Sequence, residues 1–209
     1  MIVKAFEKEK IKKSKEILYL LYGSNDGYKK EVINNCFLEG FEGVLKKYDE
    51  KDVLDQKEEI ISGLLNKSFF NDEKLIIIYR SSDKILKFVE TILDKKISEI
   101  KILLIADQLD KRSKLRSLFE KERNTVCIPF YKDDLKTLTN ISYTFFKSEN
   151  IPISQEALNI IVERSNGDRI FLRNELLKIK NYFRGEKKIN LEVVDILTNL
   201  SENFSVSEL

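Results

Sequence analysis

Over the first 130 positions, apolar residues fall into two alternating kinds of run. Short, nearly continuous stretches occur at 16 to 23 (EILYLLYG), 74 to 80 (KLIIIYR), 101 to 107 (KILLIAD) and 125 to 131 (TVCIPFY). Such runs predict strands buried on both faces, as in a parallel sheet, and a weaker strand is expected from Val44 to Asp49. Between them, apolar residues recur every three or four positions. Tyr28, Val32, Ile33, Cys36 and Phe37 share one helical face, and Ile60, Leu64 and Leu65 another. Ile85, Phe88, Val89 and Ile92 form a third, and Leu115, Leu118 and Phe119 a fourth. The alternation predicts an α/β fold, a parallel sheet covered by helices.

After Pro129 the strand pattern stops and only helical patterns follow. Leu135, Leu138, Ile141 and Phe145 mark the apolar face of the first. Ser154, after Pro152, is placed to cap a helix over 155–164. A further helix is expected over 168–184, with Leu172, Leu176, Ile179 and Phe183 on its inner face and Gly185 as its stop, and a last one starts near Leu191. The change of class predicts two domains: an α/β domain over 1–130 and a small all-helical lid over 131–203, with 204–209 opening a linker.

Composition narrows the chemistry. A chain of 209 residues with 42% hydrophobic content, two prolines and seven glycines is long enough to bury roughly 70% of its unfolded surface. Its 37 basic and 35 acidic side chains leave a net charge of +2, too little to signal nucleic-acid binding in bulk. The local run from Lys8 to Lys15, interrupted by Glu9, reads as a solvated surface segment. No apolar run approaches the ~20 residues of a membrane span. Cys36 and Cys127 have no CxxC spacing and read as buried free thiols, so a soluble, cytoplasmic protein is expected. Histidine is absent, which removes Ser-His and Cys-His catalysis and His-ligated zinc.

In a doubly wound fold, phosphate binds where the first strand turns into the first helix. That turn reads LYGSNDGYKKE. A working phosphate loop, GxxxxGK[ST], needs glycines so that backbone N–H groups wrap the phosphates, a lysine for charge and a hydroxyl for magnesium. Here Gly23 and Gly27 stand one residue too close, Tyr28 falls where the second glycine belongs, and neither Lys29 nor Lys30 is followed by Ser or Thr. Asp26 adds negative charge where phosphate would sit. The ILLIAD strand ends in Asp107 but continues with Gln108 and Leu109, with no adjacent acidic base. The reading is a degenerate loop in a phosphate-loop NTPase type of fold: no nucleotide, no metal, no cofactor.

Four blocks together resemble one family, in its order across the chain: LLYGSNDGYKKE, SFFNDEKLIIIYR, LLIADQLDKRSKLRSLFEKE and GDRIFLRNELLKIKNYF. They are similar to the delta subunit of the bacterial DNA polymerase III clamp loader. The resemblance implies an AAA+-like domain followed by a helical lid, with a C-terminal collar domain expected beyond the end of this sequence. It implies a subunit that binds and opens the sliding clamp (the beta subunit) without hydrolysing ATP. Its companions would be the ATPase and delta-prime subunits, and DNA would be met through the assembled complex. Such a subunit is a non-catalytic part of the polymerase holoenzyme. The zinc-binding cysteine cluster and Ser-Arg-Cys motif usual in delta-prime do not occur here.

The resemblance also places the clamp contact on Leu65, Phe69 and Phe70 in LNKSFFNDEK, a helix end before a central strand, with Leu65 where Gln often stands. The competing reading puts both phenylalanines in the core, covering the sheet edge beside the strand that begins at Lys74; that suits one of them, but consecutive residues on a helix end point about 100° apart, which makes burying both in one core difficult. Arg169 and Arg173 lie near the lid arginine of active AAA+ proteins and, without a phosphate loop, are expected to serve packing or subunit contact. Lys111, Arg112, Lys114 and Arg116 read as a solvated helix face with DNA contact as the alternative. Two other functions compete: a nucleotide-dependent AAA+ or other phosphate-loop ATPase, and an unrelated α/β binding module.

Overall fold

The computed structural model describes residues 1–65, 73–95, 100–183 and 189–198, without the side chains of Leu65 and Thr198. Two compact units result: one of Met1–Ser24 and Tyr28–Tyr131, and one of Asn25–Gly27 with the chain from Lys132 onward.

The first unit holds five parallel strands, β1 (Leu18–Gly23), β2 (Val44–Asp49), β3 (Lys74–Tyr79), β4 (Ile100–Ala106) and β5 (Thr125–Phe130), in the order β5-β1-β4-β3-β2. The sequence order reverses around β1, which lies between β4 and β5 with Leu20 level with both Leu104 and Cys127. β1 is buried at every position, and β3 and β4 at most, as their near-continuous apolar runs require. The faint apolar signal of β2 has its counterpart in an outer strand whose first four residues are exposed.

Each face of the sheet carries its own core. Leu18, Leu20, Ile76, Ile78, Ile102 and Leu104 pack on one side with helices α4 (Lys57–Leu65), α5 (Leu86–Asp94) and α6 (Lys114–Lys121). On the other, Tyr19, Leu21, Leu75, Ile77 and Leu103 pack with α1 (Lys8–Lys13) and α2 (Asp26–Ile33), the latter running into a π-helical turn over Asn34–Leu38. The Lys8–Lys15 segment differs from a purely solvated run: it folds as α1 because one residue, Ile11, is 1% exposed and anchors it. The short α3 (Glu50–Asp55) had no apolar period to announce it; Asp49 and Asp52 start it with a reciprocal capping box. Cys127 is buried, and burial pushes its thiol up to about 12. Cys36 is only half-buried, because the π-helical turn carries it off the inner face that Phe37 occupies.

The second unit is helical: α7 (Leu135–Ser148), α8 (Gln155–Arg164), α9 (Arg169–Tyr182) and α10 (Leu191–Thr198). Leu138, Phe146, Leu158, Ile161, Leu172, Leu176, Ile179 and Val194 form its core. Ser154 caps α8 by accepting from the Ala157 N–H, and Asp168 caps α9 by accepting from Ile170 and Phe171. Leu135 is not part of the inner face: it is 59% exposed, one turn ahead of the Leu138, Ser142 and Phe146 stripe that is buried. α9 ends at Tyr182, with Phe183 its C-cap, two residues before 184. Gly185 lies outside the described residues.

At the C-terminal ends of the strands, loops are tied by carboxylates that accept from backbone. Glu50 accepts from the Ser82 N–H at 2.6 Å and the Ser82 hydroxyl at 2.9 Å. Asp83 accepts from the Ser113 hydroxyl at 2.6 Å and from the Leu115 and Lys114 N–H groups at 3.0 and 3.1 Å, so it fastens the start of α6. Burial pushes the Asp83 carboxyl up, but those three hydrogen bonds outweigh it and hold it below the usual value. A carboxyl depressed in the folded state stabilises above its unfolded pKa and ceases to do so as pH falls through the folded one, a window below about pH 4. Asp83→Ala should therefore cost about 1 kcal/mol at neutral pH, the scale of a lost helix cap. The difference from the parent in urea midpoint should narrow near pH 3, and a difference unchanged at that pH would contradict the assignment.

Candidate functional site

The turn after β1 is built from backbone constraint before any chemistry. Gly23 has φ of +128°, and a Cβ there would stand 2.0 Å from the Phe130 carbonyl oxygen, so no other residue fits. Its N–H donates to the Asp107 carbonyl at 3.1 Å, binding the ends of β1 and β4. α2 starts three residues later at Asp26, whose carboxylate sits at the helix end that would otherwise attract an anion. Tyr28, where a phosphate loop has glycine, sets its ring edge-on to Phe130 with centroids 5.5 Å apart.

Lys29 settles how the loop is used. It is 2% exposed, and its ammonium donates to the Gly23 carbonyl at 2.9 Å and the Ala106 carbonyl at 2.8 Å. The charge a phosphate loop directs at its ligand is here spent on the carbonyl ends of two adjacent strands. Lys30, next in sequence, is exposed. Asp107 is exposed beyond β4 with Gln108 after it, while β3 ends in Tyr79 and is followed by Arg80, whose guanidinium pairs with Asp49. Neither strand end presents two adjacent carboxylates. Asp107 does not cap α6, a role taken by Ser113. No group of three or more His, Cys, Asp or Glu suited to a metal ion occurs among the described residues.

Within the second unit, Asn25, Asp133 and Arg169 form a polar cluster. The Asn25 amide donates to Asp133 Oδ2 at 2.8 Å. Arg169 forms a two-pronged bond to the same carboxylate, Nε to Oδ2 at 2.8 Å and a terminal nitrogen to Oδ1 at 2.6 Å. Both partners of this pair are largely buried. A Cβ on Gly27 would stand 3.0 Å from the Ile170 backbone nitrogen and 3.1 Å from the Arg169 Cβ, so Gly27 is closely approached by the first turn of α9. Arg173, one turn on, is exposed. The Asn25, Asp133 and Arg169 cluster is not visible in sequence, because its members lie 108 and 36 positions apart. Its one signal is the arginine after Asp168 in the GDR block.

Of the sequence-derived clamp contact, α4 ends at Leu65 and β3 begins at Lys74. The Leu65 side chain and all of Phe69 and Phe70 lie outside the described residues.

Lys29→Met tests the reading of the loop. It leaves two carbonyl oxygens buried without their donor, which should cost about 2 to 4 kcal/mol in urea unfolding. Lys30→Met should change stability by no more than about 0.5 kcal/mol. Equal stability of the two variants would mean that Lys29 is not a structural tie.

No protein-family model matches the chain, and no curated protein matches it in sequence. Solved structures do match. The Bacillus subtilis DNA clamp loader delta protein (YqeN) aligns with a TM-score of 0.55 at 23% identity, over 93% of this chain and 62% of that one. A point mutant of Thermotoga maritima RuvB aligns with a TM-score of 0.62 at 15% identity, over 94% and 65%. The same organism's RuvB Holliday junction branch migration motor gives 0.59 at 13%, over 94% and 65%. The chain thus spans less than two thirds of the length of each. The sheet order and these likenesses make the fold an α/β fold of the AAA+ phosphate-loop type, similar to that of the clamp loader delta protein.

Proposed function

We propose that the chain is a delta-type clamp-loader subunit that binds and opens a sliding clamp and does not hydrolyse ATP. The observation that carries this is Lys29: in this AAA+-type sheet the lysine at the phosphate-loop position is committed to the Gly23 and Ala106 carbonyls and is not turned toward a phosphate. The Asp133 carboxylate, which holds both Asn25 and Arg169, supports the same reading, since the lid arginine is engaged within the protein. A motor needs both groups for nucleotide; a clamp opener driven by partner ATPases needs neither. The similarity to the Bacillus subtilis clamp loader delta protein favours the clamp as partner over other AAA+ targets. On this reading the clamp contact is Leu65, Phe69 and Phe70. The ATPase and delta-prime subunits are the further partners, and DNA is met in the complex.

Two measurements test it. Titration with fluorescent ATP and magnesium should show no saturable binding, and micromolar binding with turnover would return the chain to the ATPase class. Clamp binding by the variant Phe69→Ala with Phe70→Ala, its fold checked by circular dichroism, should weaken at least about thirtyfold, since aromatic anchors carry about 2 kcal/mol or more each. Unchanged affinity with the fold intact would move the contact elsewhere.

A further inference from the structure

α7 differs in charge from the other helices of the helical unit. Leu135–Ser148 contains no Asp or Glu and is the longest stretch of the sequence without one, although acids make up 35 of its 209 residues. α8, α9 and α10 each carry at least one acid. The helical period places Lys136, Asn140, Tyr143 and Lys147 on one stripe about 60° wide, turned away from the buried Leu138, Ser142 and Phe146. All four are exposed, and Tyr143 keeps 56% of its surface in water. The two lysines stand about 16 Å apart along the helix axis, with the tyrosine ring between them.

The acids that flank α7 are already engaged. Asp133 is bonded by Asn25 and Arg169. Asp134 caps the helix by accepting from the Thr137 N–H at 2.7 Å, and Glu149 accepts from Lys180 at 2.8 Å. Elsewhere in the chain a helical cation is matched by an acid one turn away, as Lys13 is by Glu9, Arg116 by Glu120 and Lys178 by Glu175. That mixing of signs is the mark of a merely solvated face. Neither Lys136 nor Lys147 enters an ion pair among the described residues.

We propose that this face of α7 binds single-stranded nucleic acid, with Lys136 and Lys147 meeting phosphates, Tyr143 stacking on a base and the Asn140 carboxamide as a further donor. Charge complementarity selects a polyanion. The exposed ring between the cations selects one with flat faces, since stacking beside cations is how single strands are held without sequence preference. An acidic polypeptide would satisfy the lysines and leave the ring without a partner. A duplex keeps its bases inside the stack and offers the ring none. With a net charge of +2 over the whole chain, the contact is local and weakens at physiological salt. The site rests on α7 alone and does not depend on the clamp-loader reading.

The probe is fluorescein-labelled oligothymidylate, titrated against the whole chain by anisotropy at low salt, with backbone amide signals followed in the ¹⁵N-labelled protein. Saturable binding is expected, with shifts at Asn140, Tyr143 and Lys147 and a loss of affinity as salt rises. Tyr143→Ala, at an exposed helical position that alanine suits, should weaken binding by about fivefold or more, the scale of one stacked base. Lys136→Gln combined with Lys147→Gln should weaken it by about tenfold or more and flatten the salt dependence. Both variants should keep the parent's circular dichroism and urea midpoint, so that the loss reports the contact and not the fold. The proposal fails if nothing binds at about 1 mM oligonucleotide, the weakest affinity of interest. It fails as well if both variants bind like the parent. Equal binding of a duplex would mean backbone contact alone, equal binding of polyglutamate would make the partner an acidic protein, and either overturns it.

Discussion

A charged side chain taken out of water must find acceptors, and Lys29 finds them in the carbonyl oxygens that end β1 and β4. Those carbonyls belong to the last residues of the two strands, so lysine and strand ends supply each other's partners. The close fit of Gly23 against Phe130 holds the turn in place for this exchange, and Tyr28 braces α2 on the same phenylalanine. Remove the ammonium and both strand ends lose their cap, with consequences for the two core layers that meet along β1.

The same economy governs the rest of that rim. In open α/β sheets the C-terminal ends of the strands are where ligands are taken up. Here Glu50 holds Ser82, Asp83 holds the start of α6, and Arg80 pairs with Asp49. Polar groups in the places that nucleotide chemistry would draw on are turned into seams between loops. Function in a clamp-opening role would then sit away from this rim.

The sheet was legible because strands buried on both faces leave unbroken apolar runs: β1, β3, β4 and β5 were all visible, and β2, exposed on its outer side, left only a faint one. Helices with one apolar stripe were equally clear, whereas α1 and α3, resting on a single buried residue or on a capping box, were not. The loop's failure to match a phosphate-binding pattern was readable from Tyr28 and from the spacing of Gly23 and Gly27. What replaced it was not. Nothing in LYGSNDGYKKE tells which of two adjacent lysines is buried; that depends on helix phase, which brings Lys29 over the Gly23 and Ala106 carbonyls and leaves Lys30 in water. Asp133 gave no sign because its partners come from distant parts of the chain. Leu135 misled in the other direction, being apolar and in phase with its helix but exposed one turn ahead of the buried stripe.

The Gly23 fit has a bearing on how such loops change over generations. A glycine in this turn invites reading as the remnant of a phosphate site. In this protein it is held by the Phe130 carbonyl, a neighbour that has nothing to do with phosphate, so selection on folding alone preserves it. The route back is closed as well. Restoring a phosphate loop would require changing the spacing, freeing Lys29 from two carbonyls and freeing Arg169 from Asp133, and each step taken singly would loosen the fold before it gained a ligand. On the proposed reading, packing alone would keep such a scaffold from taking up nucleotide again, whatever first removed it.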